Sequence, residues 1–311
     1  MLQPLLTRWR ALNEWLRALL LAVVVLAFAH IFLLRFVSVR STSMYATLLP
    51  GDLVAVTRWN AWTGFDRGDI AVFRDPVQDD RAMLQRQLLI KRIVGLPGDT
   101  VRLIDGRLFV NGRHTDPIPG ETRSHLVRLK EGIDHRSLLN SLGLPSDFAP
   151  DDRSFVELPL NKTLAKSISD RDDVLSAEPM STATGAPRHI FPYSPAYAWN
   201  TDDYGPIIVP KRGDTLRINP MNIALYDRLI SRYEQHAISN HGNDLMIDGV
   251  ITDRYVVEQD HFFVLGDCRH YSSDSRFWGF VPADHLVGRA AWIMIPSPSG
   301  DAIGARAFTG L

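Results

Sequence analysis

Residues 18–34 read ALLLAVVVLAFAHIFLL, an uninterrupted apolar run in an otherwise mixed sequence. A stretch like this must be buried somewhere. It is a little short of the roughly 20 residues that cross a bilayer, and Trp15, Leu16 and Phe36 extend it, so one transmembrane helix is expected. Arg8, Arg10 and Arg17 precede the run, and Arg35 and Arg40 follow it. This slight excess favours a cytoplasmic N-terminus with the body of the chain outside. A cleaved secretory signal would carry a shorter apolar region and a small-residue cleavage site, where Arg35-Phe36 stands instead. His30 lies inside the run and is assigned no role.

After the run the pattern changes to period two. Residues 36–39, 53–57, 69–73, 88–94 and 101–104 read as short strands. Asp105-Gly106 and Asp248-Gly249 each sit between apolar runs and signal two-residue hairpins, whose central positions want positive φ. From about 111 to 243, Pro-, Ser- and Asp-rich stretches alternate with brief apolar segments, with one helix expected near 223–235. The β pattern resumes in HFFVLGD and VGRAAWIMI. The expected organisation is therefore a tail and anchor at 1–35 and a β domain formed by 36–110 with 244–296. A second domain, 111–243, is inserted between those two parts, and a poorly ordered tail occupies 297–311.

At 311 residues the chain can build a core without metal or disulfide. The 34 Lys plus Arg nearly balance 35 Asp plus Glu, which gives no footprint for nucleic acid. The single cysteine, Cys268, excludes an internal disulfide, and there is no CxxC or HExxH run, so neither a metal nor a cofactor is expected.

Common hydrolase signatures are missing, GxSxG among them. What remains are polar, Gly-rich strings inside β structure. STSMYATLLPGD places Ser41 and Ser43 a few residues beyond the apolar run, either as a simple turn or as hydroxyls held near a bilayer surface. LLIKRIVGLPGD places Lys91, one of only five lysines, on a strand face shared with Leu89 and Ile93. On an exposed edge it would discourage aggregation. On a buried face it would lose hydration, and its pKa would fall from about 10.4 toward the range of a working base. A serine paired with such a lysine is one solution to nucleophilic catalysis. GDCRHYSSDSRFWGFVP gathers Asp267, Arg269, Ser272, Asp274 and Arg276 beside apolar segments, as a paired network that is either structural or part of a site.

Together, and in this order, these strings resemble the signature boxes of the bacterial type I signal peptidase (leader peptidase) family. The likeness covers the anchor, residues 36–113 and residues 248–295. It implies a mainly β, signal-peptidase/repressor-protease-like catalytic domain with an inserted α+β second domain and one N-terminal transmembrane helix. Ser43 falls on the family's nucleophile and Lys91 on its base, while Ser41 and the Ser43 N–H would stabilise the oxyanion. Ser272 would hydrogen-bond the Lys91 amine, with Asp267, Asp274 and Arg276 as bracing. A substrate strand would lie against 36–39 and 89–90, with Val37, Val39, Leu48, Leu89 and Ile90 shaping pockets for small residues at the minus-three and minus-one positions.

The implied partners are preprotein signal peptides, membrane lipid and the export machinery, at the outer face of the cytoplasmic membrane. Ala46, Cys268 and His270-Tyr271 depart from the family pattern, and the single anchor differs from members with two. Two other readings share these residues. One is a soluble Ser/Lys protease of the self-cleaving repressor type; the other is a membrane-tethered, non-catalytic β module binding exported chains.

Overall fold

The computed structural model describes residues 12–28, 32–45, 47–115, 118, 120–142, 144, 155–180, 182, 189–241, 244–297 and 306–311. Helix Glu14–Phe28 is capped by the Asn13 carboxamide, which accepts from the Leu16 N–H at 2.8 Å. None of its apolar side chains is buried. Among the described residues no helix is long and apolar enough to cross a membrane. Arg8, Arg10, His30 and Ala46 lie outside the described residues.

The next element begins earlier than the sequence pattern suggests. Strand β1 spans Leu34–Ser38, because Leu34 and Arg35 already pair with Thr57 and Val56 of β2, Leu53–Thr57. Two further strands, β3 (Ile70–Arg74) and β4 (Leu88–Gly95), follow. The sheet runs β1, β2, Leu286–Ile295, β3, β4, His261–Leu265, Val281–Pro282, with each neighbour antiparallel. The two ends of the chain are thus interleaved in one sheet.

Period two divides the side chains between two cores. Ile70 and Val72 of β3 join Val54, Val56, Met44 and Leu48 on one side. Ala71 and Phe73 join Ile93, Phe262, Val264 and Trp278 on the other. Since both faces are covered, LVAVT and IAVFR are buried almost throughout.

The Asp105-Gly106 hairpin forms as expected, with φ of 48° and 67°, and so does Asp248-Gly249, with 49° and 80°. Residues 100–104 pair with 107–110 and with 204–208, building a four-stranded sheet with 113–114. A three-stranded sheet of 123–129, 155–160 and 174–179 packs with helices His135–Ser141 and Lys162–Ser169 around its own core.

Two expectations are corrected. In place of one helix near 223–235 there is a 3₁₀ turn, Ile223–Leu225, and a single wide π turn, Leu229–Tyr233. The wide turn buries Leu229, Ile230 and Tyr233 together. The chain end is also ordered where it is described: Thr309–Gly310 pairs with Leu286–Ile295, and Arg306 binds the buried Asp52 carboxylate at 2.8 Å.

Candidate active site

Ser43 lies in the wide loop between β1 and β2. The loop is closed at its base by Val39 N–H to Asp52 O and Gly51 N–H to Val39 O, both 2.8 Å. Within it, Tyr45 N–H donates to Thr42 O at 2.9 Å and Leu48 N–H to Met44 O at 2.8 Å. That turn drives Met44 and Leu48 into the core, and the buried Met44 anchors the serine beside it. The Ser43 carbonyl accepts from Cys268 N–H at 3.0 Å, which ties the loop to the 266–276 string.

Lys91 arrives from the middle of β4, where it pairs with Ala71. It is 4% exposed. Its Nζ donates to Ser43 Oγ at 2.8 Å and to Ile90 O at 3.1 Å. Burial pushes the ammonium down to about 8, against the opposing pull of Asp274, Asp75 and Asp267. The buried alternative left open by the sequence is the one the fold adopts. Ser41 Oγ is 3.1 Å from Ser43 Oγ. The Ser43 N–H donates to no backbone carbonyl of the described residues.

Two carboxylates brace this pair. Asp267 is held by Arg92 through Nε at 2.8 Å and Nη2 at 2.6 Å, and by the Thr47 hydroxyl from the serine loop. Arg92 follows Lys91 directly and was not singled out from the sequence; a bidentate partner for Asp267 was the missing signal. Asp274, fully buried, is bound by Arg276 Nε at 2.9 Å and Nη2 at 2.8 Å and by Gly266 N–H at 3.1 Å. Burial alone would raise its pKa, but the Arg276 guanidinium outweighs it and holds the carboxyl below its ordinary value. Arg276 also donates to Thr201 O at 3.0 Å and to Arg269 O.

Ser272 is buried over Gly266, facing Asp274, and no hydrogen bond joins it to Lys91. Gly266 is squeezed between Ser272 and the serine loop: a Cβ there would lie 2.2 Å from Ser272 Oγ and 2.5 Å from Ser43 O. The side chains of His270 and Tyr271 bind elsewhere than at Ser43 and Lys91. His270 Nε2 is 2.8 Å from Asp202 while its Nδ1 accepts from Ser124 N–H at 3.0 Å, and Tyr271 hydroxyl reaches Glu157 O at 3.3 Å. Burial raises the Cys268 thiol to about 11, so it is protonated and inert near neutrality.

A cleft of about 490 Å³ opens onto Ser43 and Lys91. Val37, Val39, Leu89 and Ile90 are among the residues that line it; Leu48 is not, being wholly buried beneath the turn. Leu84, Gln85, Arg86 and Gln87 form a wall that the sequence did not indicate. The cleft separates two strand edges. Among the described residues, β1 ends the sheet, and residues 88–91 of β4 lack a partner on the side where His261–Leu265 pairs only with 92–95. An extended peptide inserted there would find backbone donors and acceptors on both flanks. Among the described residues no cluster of His, Cys, Asp and Glu is placed to hold a metal ion.

The profile of the family described as "Signal peptidase, peptidase S26" matches residues 12–150 and 208–295. The chain belongs to this family. It is thereby a serine endopeptidase of the signal peptidase type. Signal peptidase I S of Bacillus subtilis (strain 168) is 33% identical over 155 residues, covering 49% of this chain and 71% of that protein. Signal peptidase I of Bacillus licheniformis is 35% identical over 115 residues, covering 36% of this chain and 58% of that protein. A crystal structure of a signal peptidase I from Enterococcus faecalis V583 aligns with 73% of this chain and 96% of its own at 17% identity and a TM-score of 0.25, too slight a likeness to argue from.

Proposed function

We propose that the chain removes N-terminal signal peptides from exported preproteins, with Ser43 as nucleophile and Lys91 as general base. The observation that carries this reading is the 2.8 Å contact between Lys91 Nζ and Ser43 Oγ at the floor of an open-edged cleft. Neutral Lys91 takes the hydroxyl proton as Ser43 Oγ attacks the scissile carbonyl. The Ser43 N–H and the Ser41 hydroxyl stabilise the oxyanion. Lys91 then protonates the leaving amine, and water activated by the same amine releases the acyl group. The substrate lies as an added strand between β1 and residues 88–91, with Val37, Val39, Leu89 and Ile90 limiting the minus-three and minus-one side chains to small ones.

The site is proposed to sit on the outer side of the cytoplasmic membrane, near lipid and the export machinery, with the apolar segment 18–34 as its tether. In support, helix Glu14–Phe28 buries none of its apolar side chains among the described residues. Residues 36–110 with 244–296 serve as the catalytic part and 111–243 as an insertion; the pairing of 100–104 with 204–208 joins the two. The test is cleavage of a synthetic signal peptide ending in Ala-x-Ala by detergent-solubilised protein, wild type beside Lys91→Ala. Cleavage after the last Ala by wild type alone is expected; equal cleavage by both would overturn the dyad.

A further inference from the structure

The cleft wall formed by Leu84–Gln87 belongs to the loop 75–87 between β3 and β4, which has no regular structure beyond the short turn Met83–Gln85. Leu84 is 81% exposed, so burial of its own side chain does not hold the wall in place. Arginines do. At the inner end Arg74 Nη1 donates to Leu84 O at 2.9 Å and Arg86 O at 3.0 Å. Arg86 Nη1 meets His285 Nε2 at 3.0 Å; since a guanidinium only donates, that nitrogen is the acceptor and Nδ1–H faces Asp284, 2.7 Å away.

The outer end is gripped from a distant part of the sequence. Arg228 Nη2 donates to Pro76 O at 2.5 Å and to Asp79 Oδ2 at 2.8 Å. Arg228 Nε donates to the hydroxyl of buried Tyr233, at 3.0 Å, and its guanidinium lies 5.6 Å from that ring. Tyr233 belongs to the wide turn Leu229–Tyr233, which packs into a large core that the middle segment shares with residues 94–110 and 245–280. The second Asp79 oxygen lies 3.9 Å from Arg86, so one carboxylate joins the middle segment to a residue of the cleft wall.

We propose that the Asp79–Arg228 ion pair is a positioning device for substrate: it docks loop 75–87 on the middle segment and holds Leu84–Gln87 as a fixed wall of the cleft. Asp79 and Arg228 touch no substrate. They act through the loop, sparing an extended peptide the entropy of ordering its own binding wall. The proposal rests on the peptidase reading and gives the enlarged middle segment a part in it.

The test combines kinetics with limited trypsin digestion of full-length protein carrying Asp79→Asn, Arg228→Gln, both changes, or Asp79→Glu. Each single loss is expected to raise KM for an Ala-x-Ala signal peptide about fivefold and leave kcat within about twofold. Nicking after Arg81, whose side chain is 54% exposed, should quicken to a similar degree. The double variant should be no worse than either single one, and Asp79→Glu should stay near wild type. Unchanged nicking would overturn the clamp. Faster nicking with unchanged KM, or a fall in kcat matched by a lower Tm, would overturn its role in substrate positioning. Nicking needs no substrate, so wild type that cut no Ala-x-Ala peptide would refute the peptidase reading while the digestion still decided the clamp.

Discussion

The charge state of Lys91 controls the proposed reaction, and the structure sets its titration. Burial takes the ammonium from 10.5 to about 8, a preference for the neutral amine worth roughly 3 kcal/mol. At pH 7 an unperturbed lysine is neutral about once in 3,000 molecules, and one titrating near 8 about once in ten, some 300 times more often. Only the second supplies enough base. The assay is kcat/KM for a peptide without titrating side chains, measured from pH 5.5 to 9, which reports the free enzyme. The expected profile climbs about tenfold per pH unit to a plateau above pH 8, leaving pH 6 about 100-fold below the plateau. A profile flat from pH 6 to 8 would refute the assignment of Lys91 as the base.

The same shift affects stability. The folded pKa lies below the unfolded one, so between about 8 and 10.5 the unfolded chain binds a proton that the folded chain does not. Stability therefore rises with pH across that window, and below pH 8 the full penalty is present. Lys91→Met should accordingly raise Tm at pH 7 and lose that advantage by pH 10.5; an equal or lower Tm at pH 7 would argue against a desolvated lysine.

Ser43→Ala is expected to lower kcat by at least about 10³-fold with Tm within a few degrees of wild type, measured by peptide cleavage and thermal melting. Arg276→Gln leaves Asp274 buried without its counterion and should cost about 3 to 5 kcal/mol, read from denaturant unfolding. Gly266→Ala puts a methyl group into Ser272 and the Ser43 carbonyl, so kcat and Tm should fall together; a variant of full activity would show that the two segments part easily.

What the sequence disclosed followed the range of the interactions involved. Strands β2, β3 and β4 were legible to within a residue because period-two burial is written locally, and both Asp-Gly hairpins were legible because their φ angles are. The proposed roles of Ser43 and Lys91 were less legible: a serine near a turn and a lysine in an apolar strand each left a structural reading open, and only the order of the strings, through the resemblance, pointed to a pair. Leu48 was misplaced because nearness to Ser43 in sequence says nothing about which way a turn points; the Leu48–Met44 hydrogen bond carries it under the site.

The cleft wall at 84–87 and its clamp were invisible from the sequence, for a reason that bears on function. MLQRQ has no period, and its position depends on Arg228 and His285, each more than 140 residues away in sequence. The chemistry of the dyad needs only β4 and the loop after β1, both inside the core sheet. The cleft that would choose a substrate is instead assembled from β1, from β4 and from a loop held partly by the middle segment. Changes in that segment can therefore alter which peptides fit while Ser43 and Lys91 stay 2.8 Å apart, which makes KM, more than kcat, the quantity that should vary with it.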